Sequence, residues 1–174
     1  MDSLAPASAK AQALHRRYGA SVPAAGPWND VIAAMLEHRS VRAYRPDPLP
    51  PGTLETLVAA ASSAATSSNM QWWSVIAVSD PAVKKELAKV AGNQKHIEQC
   101  PLFLLWVADM ARNQRISDAE KIGFETMPWL ETFMVAAIDA ALAAQNATVA
   151  AESLGLGTVY IGAMRNDPQR VAEL

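Results

Sequence analysis

The part of the sequence that most constrains the fold is a long apolar stretch, residues 127–163. Residues 128–153 are rich in Ala, Leu, Met and Val, and this composition predicts one long helix. Pro128 suits the first turn of that helix, and Gly155 suits its end. Because the predicted helix is apolar nearly all round, it belongs in a protein core or in an interface between subunits. A membrane span is the alternative, and Asp139 near the centre makes it the less favoured one.

The remaining apolar patterns predict an α+β protein. The β-branched and aromatic residues 158–161 indicate a buried strand spanning about residues 157–162. Two similar apolar runs predict strands at residues 72–78 and 102–108. Four segments with helical spacing or caps predict helices at residues 5–18, 30–37, 54–65 and 80–91. Strands that alternate with abundant helix favour an α+β fold.

The length of 174 residues suits one domain with a real core. Residues 1–27 are interpreted as an appended arm and linker, and residues 28–174 as the domain itself. The polar region 112–123 is expected to be exposed, as a connecting excursion or a lid. A hydrophobic content of 51% argues against disorder.

Charge and cysteine content narrow the classes of partner and compartment. The net charge of −2 gives no electrostatic reason to expect a nucleic-acid partner. Cys100 is the single cysteine and precedes an apolar run, so a packed, inert thiol is expected. The first ten residues lack a basic start followed by an apolar block, which predicts a cytoplasmic protein.

Three cationic side chains lie close together at His38, Arg39 and Arg42. They form either a solvated basic turn or a clamp for an anion, because forked guanidinium donors match phosphate oxygens. Composition alone favours the solvated turn. The polar loop 66–71 is likewise open to two interpretations, since its hydroxyls and amides can cap the backbone or bind a ligand.

Common chemistry motifs are missing from the sequence. The glycines Gly155 and Gly157 lie between a helix and a strand, the reverse of the order that a Rossmann fingerprint requires. His96 and Cys100 have helical spacing but no further residue to complete a metal site. What remains is a set of donors without a nucleophile or a metal, which is expected where a bound cofactor performs the chemistry.

Five sequence blocks, in this order, resemble the FMN-dependent nitroreductases, in particular the oxygen-insensitive NADPH nitroreductase and NADPH–flavin oxidoreductase branch. The resemblance runs from about residue 37 to the end of the chain. The blocks are His38-Arg39-Ser40-Val41-Arg42, Ala65-Thr66-Ser67-Ser68, Gly92-Asn93-Gln94-Lys95-His96, Ala144-Gln145-Asn146 followed by residues 150–157, and residues 159–166.

The resemblance implies a mixed sheet flanked by helices, with a long central helix in a homodimer interface and FMN bound at that interface. No residue would be catalytic, because the chemistry would occur on FMN, with NADPH as the electron donor and a small molecule as the acceptor. The residues that it assigns to FMN are His38, Arg39, Ser40, Val41, Arg42, Ser67, Ser68, Gln94, Tyr160, Ile161, Gly162 and Ala163. Arg165 would meet NADPH or an anionic acceptor.

The sequence departs from the family pattern in three ways. Ala163 stands where the group often has a second glycine, and the arm before Trp28 is extra. The chain also stops at Leu174, before the C-terminal strand and basic residues that the family pattern includes. Two other hypotheses therefore stay open: a flavin-binding or dimerisation module without turnover, and a helical interaction protein whose basic turn binds nothing.

Overall fold

The computed structural model describes residues 8–19 and 26–174, so parts of the predicted arm and linker lie outside the described residues. The helices are α1 Ala9–Tyr18, α2 Asp30–Glu37, α3 Thr53–Ser62, α4 Pro81–Val90, α5 Lys95–Gln99, α6 Met110–Glu120, α7 Leu130–Ser153 and α8 Pro168–Glu173. The strands are β1 Trp73–Val78 and β2 Phe103–Ala108. Short 3₁₀ helices cover Ser67–Asn69 and Gly162–Asn166.

The predicted long helix is present as α7, and one side of it lies in the main core. Leu57 and Ala61 of α3 and Trp73 of β1 pack against four alanines of α7 that follow the helical repeat, Ala140, Ala143, Ala147 and Ala151. Alanine has a small side chain and the highest helix propensity, so a helix and a sheet can approach this side closely. The other side of α7 is apolar as well but exposed.

A second core lies beneath α4 and α5. Its buried members are Leu87, Ala88, Ala91, Ile97, Cys100 and Phe103. Cys100 donates its S–H to the carbonyl of Ile97 at 3.2 Å, and burial raises the pKa of its thiol. Cys100 is therefore the packed thiol that the sequence predicts.

The sheet of the described residues differs from the predicted one in its third strand. Strands β1 and β2 pair antiparallel, with Trp73 opposite Ala108. In place of a strand at residues 157–162, a single parallel bridge joins Ser40 to Thr158. The prediction of a full strand was wrong because, among the described residues, no segment pairs with residues 159–161 before the chain enters a 3₁₀ helix at Gly162.

The polar region after β2, expected to be an exposed connecting excursion or a lid, forms helix α6 over most of its length. Asp109 caps α6 by accepting the amide N–H of Arg112 at 3.0 Å, and Lys121 ends it with a φ of 56°. Asn113 and Ser117, one turn apart, face inward and are buried. The apolar periodicity that identifies most helices is weak here because the inward face is itself polar.

Helix α7 is the one described helix that is long and apolar enough to cross a membrane by length and composition. Core helices share both properties. Asp139 near its middle is buried and accepts two main-chain N–H groups from the loop before β1.

Replacing Asp109 by alanine should lower the free energy of unfolding by about 1–2 kcal/mol, because α6 loses its N-cap. The hydroxyl of Ser74, which donates to this carboxylate at 2.5 Å, is the largest cause of the lowered pKa of Asp109. A carboxyl whose pKa is lowered in the folded state stabilises the protein at pH values above its unfolded-state pKa, near 3.9. This contribution is lost as the pH falls through the folded-state pKa. Urea unfolding at pH 7 and pH 3 measures the change.

The stability difference between the parent protein and Asp109→Ala should shrink at the lower pH. Ser74→Ala is the control, because removing the donating hydroxyl should reduce the pH dependence while the cap stays in place. A difference that is equal at both pH values would contradict the proposed coupling.

Candidate functional site

The basic motif begins where α2 ends and is fixed to the segment after α7. The main-chain N–H of Val41 donates to the carbonyl of Thr158 at 2.8 Å, and the hydroxyl of Tyr44 donates to the carbonyl of Val41 at 2.9 Å. A Cβ added at Gly157 would lie 2.9 Å from the side chain of Val41. Glycine is thus required at position 157 because the two chain segments touch there.

Glu152, near the C-terminal end of α7, ties the same two segments together through its side chain. Its Oε1 lies 2.7 Å from Nδ1 of His38 and accepts the hydroxyl of Thr158 at 2.8 Å. The side chain of Glu152 is largely buried. The helix therefore fixes the start of the basic motif and the chain that follows Gly157 at one point.

The two arginines of the motif stay exposed. Arg39 lies 3.6 Å from Glu37 in a loose ion pair, and within the described part of the chain Arg42 has no ion-pair partner. Helix α1 supports this region, because Arg16 pairs with Glu37 at 2.7 Å and Arg17 donates to the carbonyl of His38 at 2.5 Å. The main chain of the motif is fixed, while both guanidinium groups stay exposed to an approaching anion and only the loose contact with Glu37 restrains Arg39.

The polar loop before β1 is the second group of predicted site residues. Ser67 and Ser68 are exposed, and the main-chain N–H of Ser67 donates to Asp139 of α7 at 3.1 Å. Ser68 has a φ of 51° and a ψ of 24°, a left-handed conformation that is uncommon for serine. A strained residue of this kind is often part of a functional site.

The third group is the segment that follows the bridge at Thr158. The hydroxyl of Tyr160 lies 3.1 Å from the Thr148 hydroxyl of α7, and partial burial is the largest cause of the raised pKa of this phenol. Ile161 and Ala163 pack against the second core. A Cβ at Gly162 would lie 2.7 Å from the guanidinium of Arg165, so this arginine folds back over the glycine.

Gln94 occupies a different position from these groups. Its side-chain N–H donates to the carbonyl of Ala91 at 2.9 Å, where it closes the end of α4. Asn166, at the end of the second 3₁₀ helix, donates to the carbonyl of Val90 at 3.2 Å. The turn of Gln94 and the segment 162–166 therefore both lie at the C-terminal end of α4.

Helix α7 contacts three of the predicted groups through three polar side chains. Asp139 binds the loop of Ser67, Thr148 binds Tyr160, and Glu152 binds His38 and Thr158. With a rise of 1.5 Å per residue, the contacts extend over about 20 Å of helix. Helix α7 therefore holds together site residues that are far apart in the sequence.

Neither the contribution of α6 nor a role of Asp139 in the site was predicted from the sequence. Arg112 and Asn113 donate to the carbonyls of Gln71 and Met70 in the polar loop. Asp139 carried a usable signal, because a carboxylate in the middle of an apolar helix needs buried donors. Across residues 8–19 and 26–174, no group of three or more His, Cys, Asp or Glu side chains could hold a metal ion.

Comparison with known proteins assigns the chain to a family. The family model described as "Nitroreductase family" matches residues 35–174. The chain belongs to the nitroreductase family. The α+β class predicted from the sequence is confirmed, and the structures of nitroreductase-family proteins share its fold.

Two curated nitroreductase relatives give the degree of similarity. The FMN reductase (NADPH) of Bacillus subtilis is 45% identical over 148 residues, which are 84% of this chain and 59% of the relative. The oxygen-insensitive NADPH nitroreductase of Salmonella typhimurium is 37% identical over 143 residues, 82% of this chain and 58% of the relative. The chain thus spans about three fifths of the length of the curated relatives that it matches.

Solved structures agree with the sequence matches. NfrA1 of B. megaterium is 46% identical with a TM-score of 0.81, over 83% of this chain and 59% of that one. The NADPH:FMN oxidoreductase of Vibrio harveyi, solved with NAD⁺, is 36% identical with a TM-score of 0.75, over 83% and 61% of the two chains. The nitroreductase fold extends over most of this chain.

Proposed function

We propose that this protein is an FMN-dependent oxidoreductase that uses NADPH to reduce small acceptors such as nitroaromatics, quinones or flavins. The observation that carries the proposal is the connection of three groups of donors to α7 through Asp139, Thr148 and Glu152. The relatives named as FMN reductase and NADPH nitroreductase support the same chemistry.

The free donors of the site fit a phosphorylated, planar cofactor. Arg39 and Arg42 are exposed, charged and forked, which suits a phosphate group. His38 and Ser40 extend this donor set, and the main chain of Val41 holds it against Thr158. We propose that the motif His38, Arg39, Ser40, Val41 and Arg42 binds the phosphate and ribityl chain of FMN.

The other predicted residues are proposed to hold the ring system. Ser67, Ser68 and Gln94 would donate from two polar turns, and the segment of Tyr160, Ile161, Gly162 and Ala163 would lie along the ring. Arg165, which covers Gly162, is proposed to meet NADPH or an anionic acceptor. Ala163 packs inward, so the flavin would meet its main chain rather than its methyl group.

When bound, FMN would supply the redox chemistry in a ping-pong sequence, taking hydride from NADPH and reducing the acceptor after NADP⁺ leaves. The chain supplies binding, orientation and charge, and we assign no catalytic residue to it. The guanidinium groups of Arg39 and Arg42 would balance the negative charge of the phosphate.

We further propose that the protein is a cytoplasmic homodimer in which α7 forms the interface. The exposed side of this helix carries five large apolar side chains at helical spacing, Leu130, Phe133, Met134, Ile138 and Leu142. An exposed apolar surface of this kind is typical of a protein interface. The tendency of the family toward homodimers supports this assembly.

The purified protein, incubated with FMN and freed of excess ligand, should show a flavin absorption spectrum that bleaches on anaerobic addition of NADPH. Addition of a quinone should then restore the oxidised spectrum, because the proposed acceptor removes the electrons. NADH at the same concentration is the comparison for donor preference. Bound flavin that stays oxidised would favour the flavin-binding module, and failure to retain FMN would contradict the proposed enzyme.

A further inference from the structure

The loop before β1 contains an unusual concentration of left-handed residues. Ser68, Asn69 and Gln71 have φ angles of 51°, 53° and 50°. Asparagine adopts this conformation more readily than most residues, whereas serine and glutamine rarely do. Such conformations persist when the surrounding structure holds them, and they are concentrated at functional sites.

One anchor of this loop is Asp139 of α7. Its Oδ1 accepts the main-chain N–H of Ser67 at 3.1 Å, and its Oδ2 accepts that of Trp72 at 3.2 Å. Asp139 is only 1% exposed, so the two bonds are shielded from water. A single buried carboxylate thus holds both ends of the loop.

The second anchor comes from α6 on the carbonyl side of the loop. The buried side chain of Asn113 donates to the carbonyl of Met70 at 3.0 Å, and the guanidinium of Arg112 donates to the carbonyl of Gln71. Helix α6 is itself attached to the loop, because the N–H of Asp109 donates to the carbonyl of Trp72 at 2.9 Å. Two helices therefore fix one short loop.

The anchors act on the main chain and leave the side chains of the loop free. Ser67, Ser68, Asn69 and Gln71 are exposed, and their side chains form no hydrogen bond with any residue in the described ranges 8–19 and 26–174. A strained main chain with buried anchors and free polar side chains is arranged for a ligand rather than for its own stability.

We propose that Asp139, Asn113 and Arg112 are positioning residues that hold this loop in the conformation that presents Ser67 and Ser68 to the flavin. The proposal rests on the proposed function, since the ligand of the loop is taken to be FMN. None of the three residues needs to touch FMN, because each acts through the main chain of the loop. Their effect should appear in cofactor affinity and in the local dynamics of the loop.

The test compares Asn113→Ala and Asp139→Asn with the parent in two measurements. Asp139→Asn keeps the shape of the side chain but turns one acceptor into a donor, so one of the two loop bonds is lost. Titration of FMN, followed by the change in flavin fluorescence, should give dissociation constants about tenfold higher or more for either variant. Amide hydrogen exchange of the protein without FMN should become at least about tenfold faster in Asp139→Asn at whichever of Ser67 and Trp72 loses its acceptor.

The control is Thr132→Val, which removes another buried hydrogen bond of α7, from Thr132 to the carbonyl of Thr126 at 2.6 Å. It should lower the thermal unfolding midpoint as the test variants do, but leave FMN affinity and loop exchange unchanged. The proposal is overturned if the test variants bind FMN as tightly as the parent while their stability falls like that of the control.

Hydrogen exchange separates this proposal from the proposed function. If the parent binds no FMN, the flavin role fails for the whole site, including the presentation of Ser67 and Ser68. The amide exchange rates of Asp139→Asn then still test whether Asp139 anchors the loop. Rates equal to those of the parent would overturn the anchoring as well.

Discussion

Replacing Arg39 and Arg42 together by alanine should weaken FMN binding by at least about 100-fold, because two charged donors to the phosphate are lost. A hydrogen bond to a charged group contributes about 1.5–3 kcal/mol, so two of them correspond to roughly 10²–10⁴ in affinity. Fluorescence titration with FMN measures the change. The affinity of the parent should also fall with increasing salt, and this dependence should be much weaker in the double variant.

Arg45→Ala is the matched control for this experiment. Arg45 is a highly exposed arginine three positions after Arg42 and pairs with Asp47 at 2.8 Å. Its replacement removes the same charge nearby and should leave FMN affinity within about twofold, since screened surface charges contribute little. Replacing Arg39 and Arg42 by lysine should give an intermediate affinity, because lysine keeps the charge without the fork. Unchanged flavin retention in the alanine double variant would remove both arginines from the site and favour the solvated basic turn.

Replacing Ile138 by glutamate should convert the protein to a monomer at micromolar concentration. The side chain lies on the exposed apolar side of α7, and an unpaired charge buried in an interface costs about 3–5 kcal/mol, or roughly 10²–10⁴ in the dissociation constant. Sedimentation velocity over a range of protein concentrations measures the assembly. FMN affinity should fall with dissociation if the flavin lies at the interface.

Ile116→Glu is the matched control for the dimer experiment. Ile116 of α6 is about as exposed as Ile138, at 57% against 54%, but lies outside the proposed interface. Its replacement should leave the assembly unchanged. A parent protein that sediments as a monomer would overturn the proposed homodimer, and a dimer that tolerates glutamate at Ile138 would move the interface away from this part of α7.

Most of the fold followed from local patterns in the sequence. The long helix was predictable because its composition is extreme and its end is marked by Gly155, which has a φ of 77° in the structure. The two antiparallel strands were predictable from short apolar runs bounded by polar turns. Helix α6 was not, because its buried face carries Asn113 and Ser117 instead of an apolar stripe.

The third predicted strand shows the limit of the same patterns. Residues 158–161 have strand-forming side chains, but a ladder also needs a partner segment that stays alongside. The structure supplies a bridge at Ser40 and Thr158, and the chain then turns into a 3₁₀ helix at Gly162. Pairing between distant segments depends on tertiary geometry, which side-chain propensity does not encode.

The sequence by itself determined the long helix, the two paired strands, the family and the donor types, because all of these are carried by local composition and by motifs in a fixed order. Only the tertiary structure decided how those donors are held. The pairing of Glu152 with His38 joins residues that are 114 positions apart, and that of Asp139 with Ser67 joins residues 72 apart. Such contacts arise because α7 packs between distant segments, and the periodicity of one segment contains no information about its distant partner.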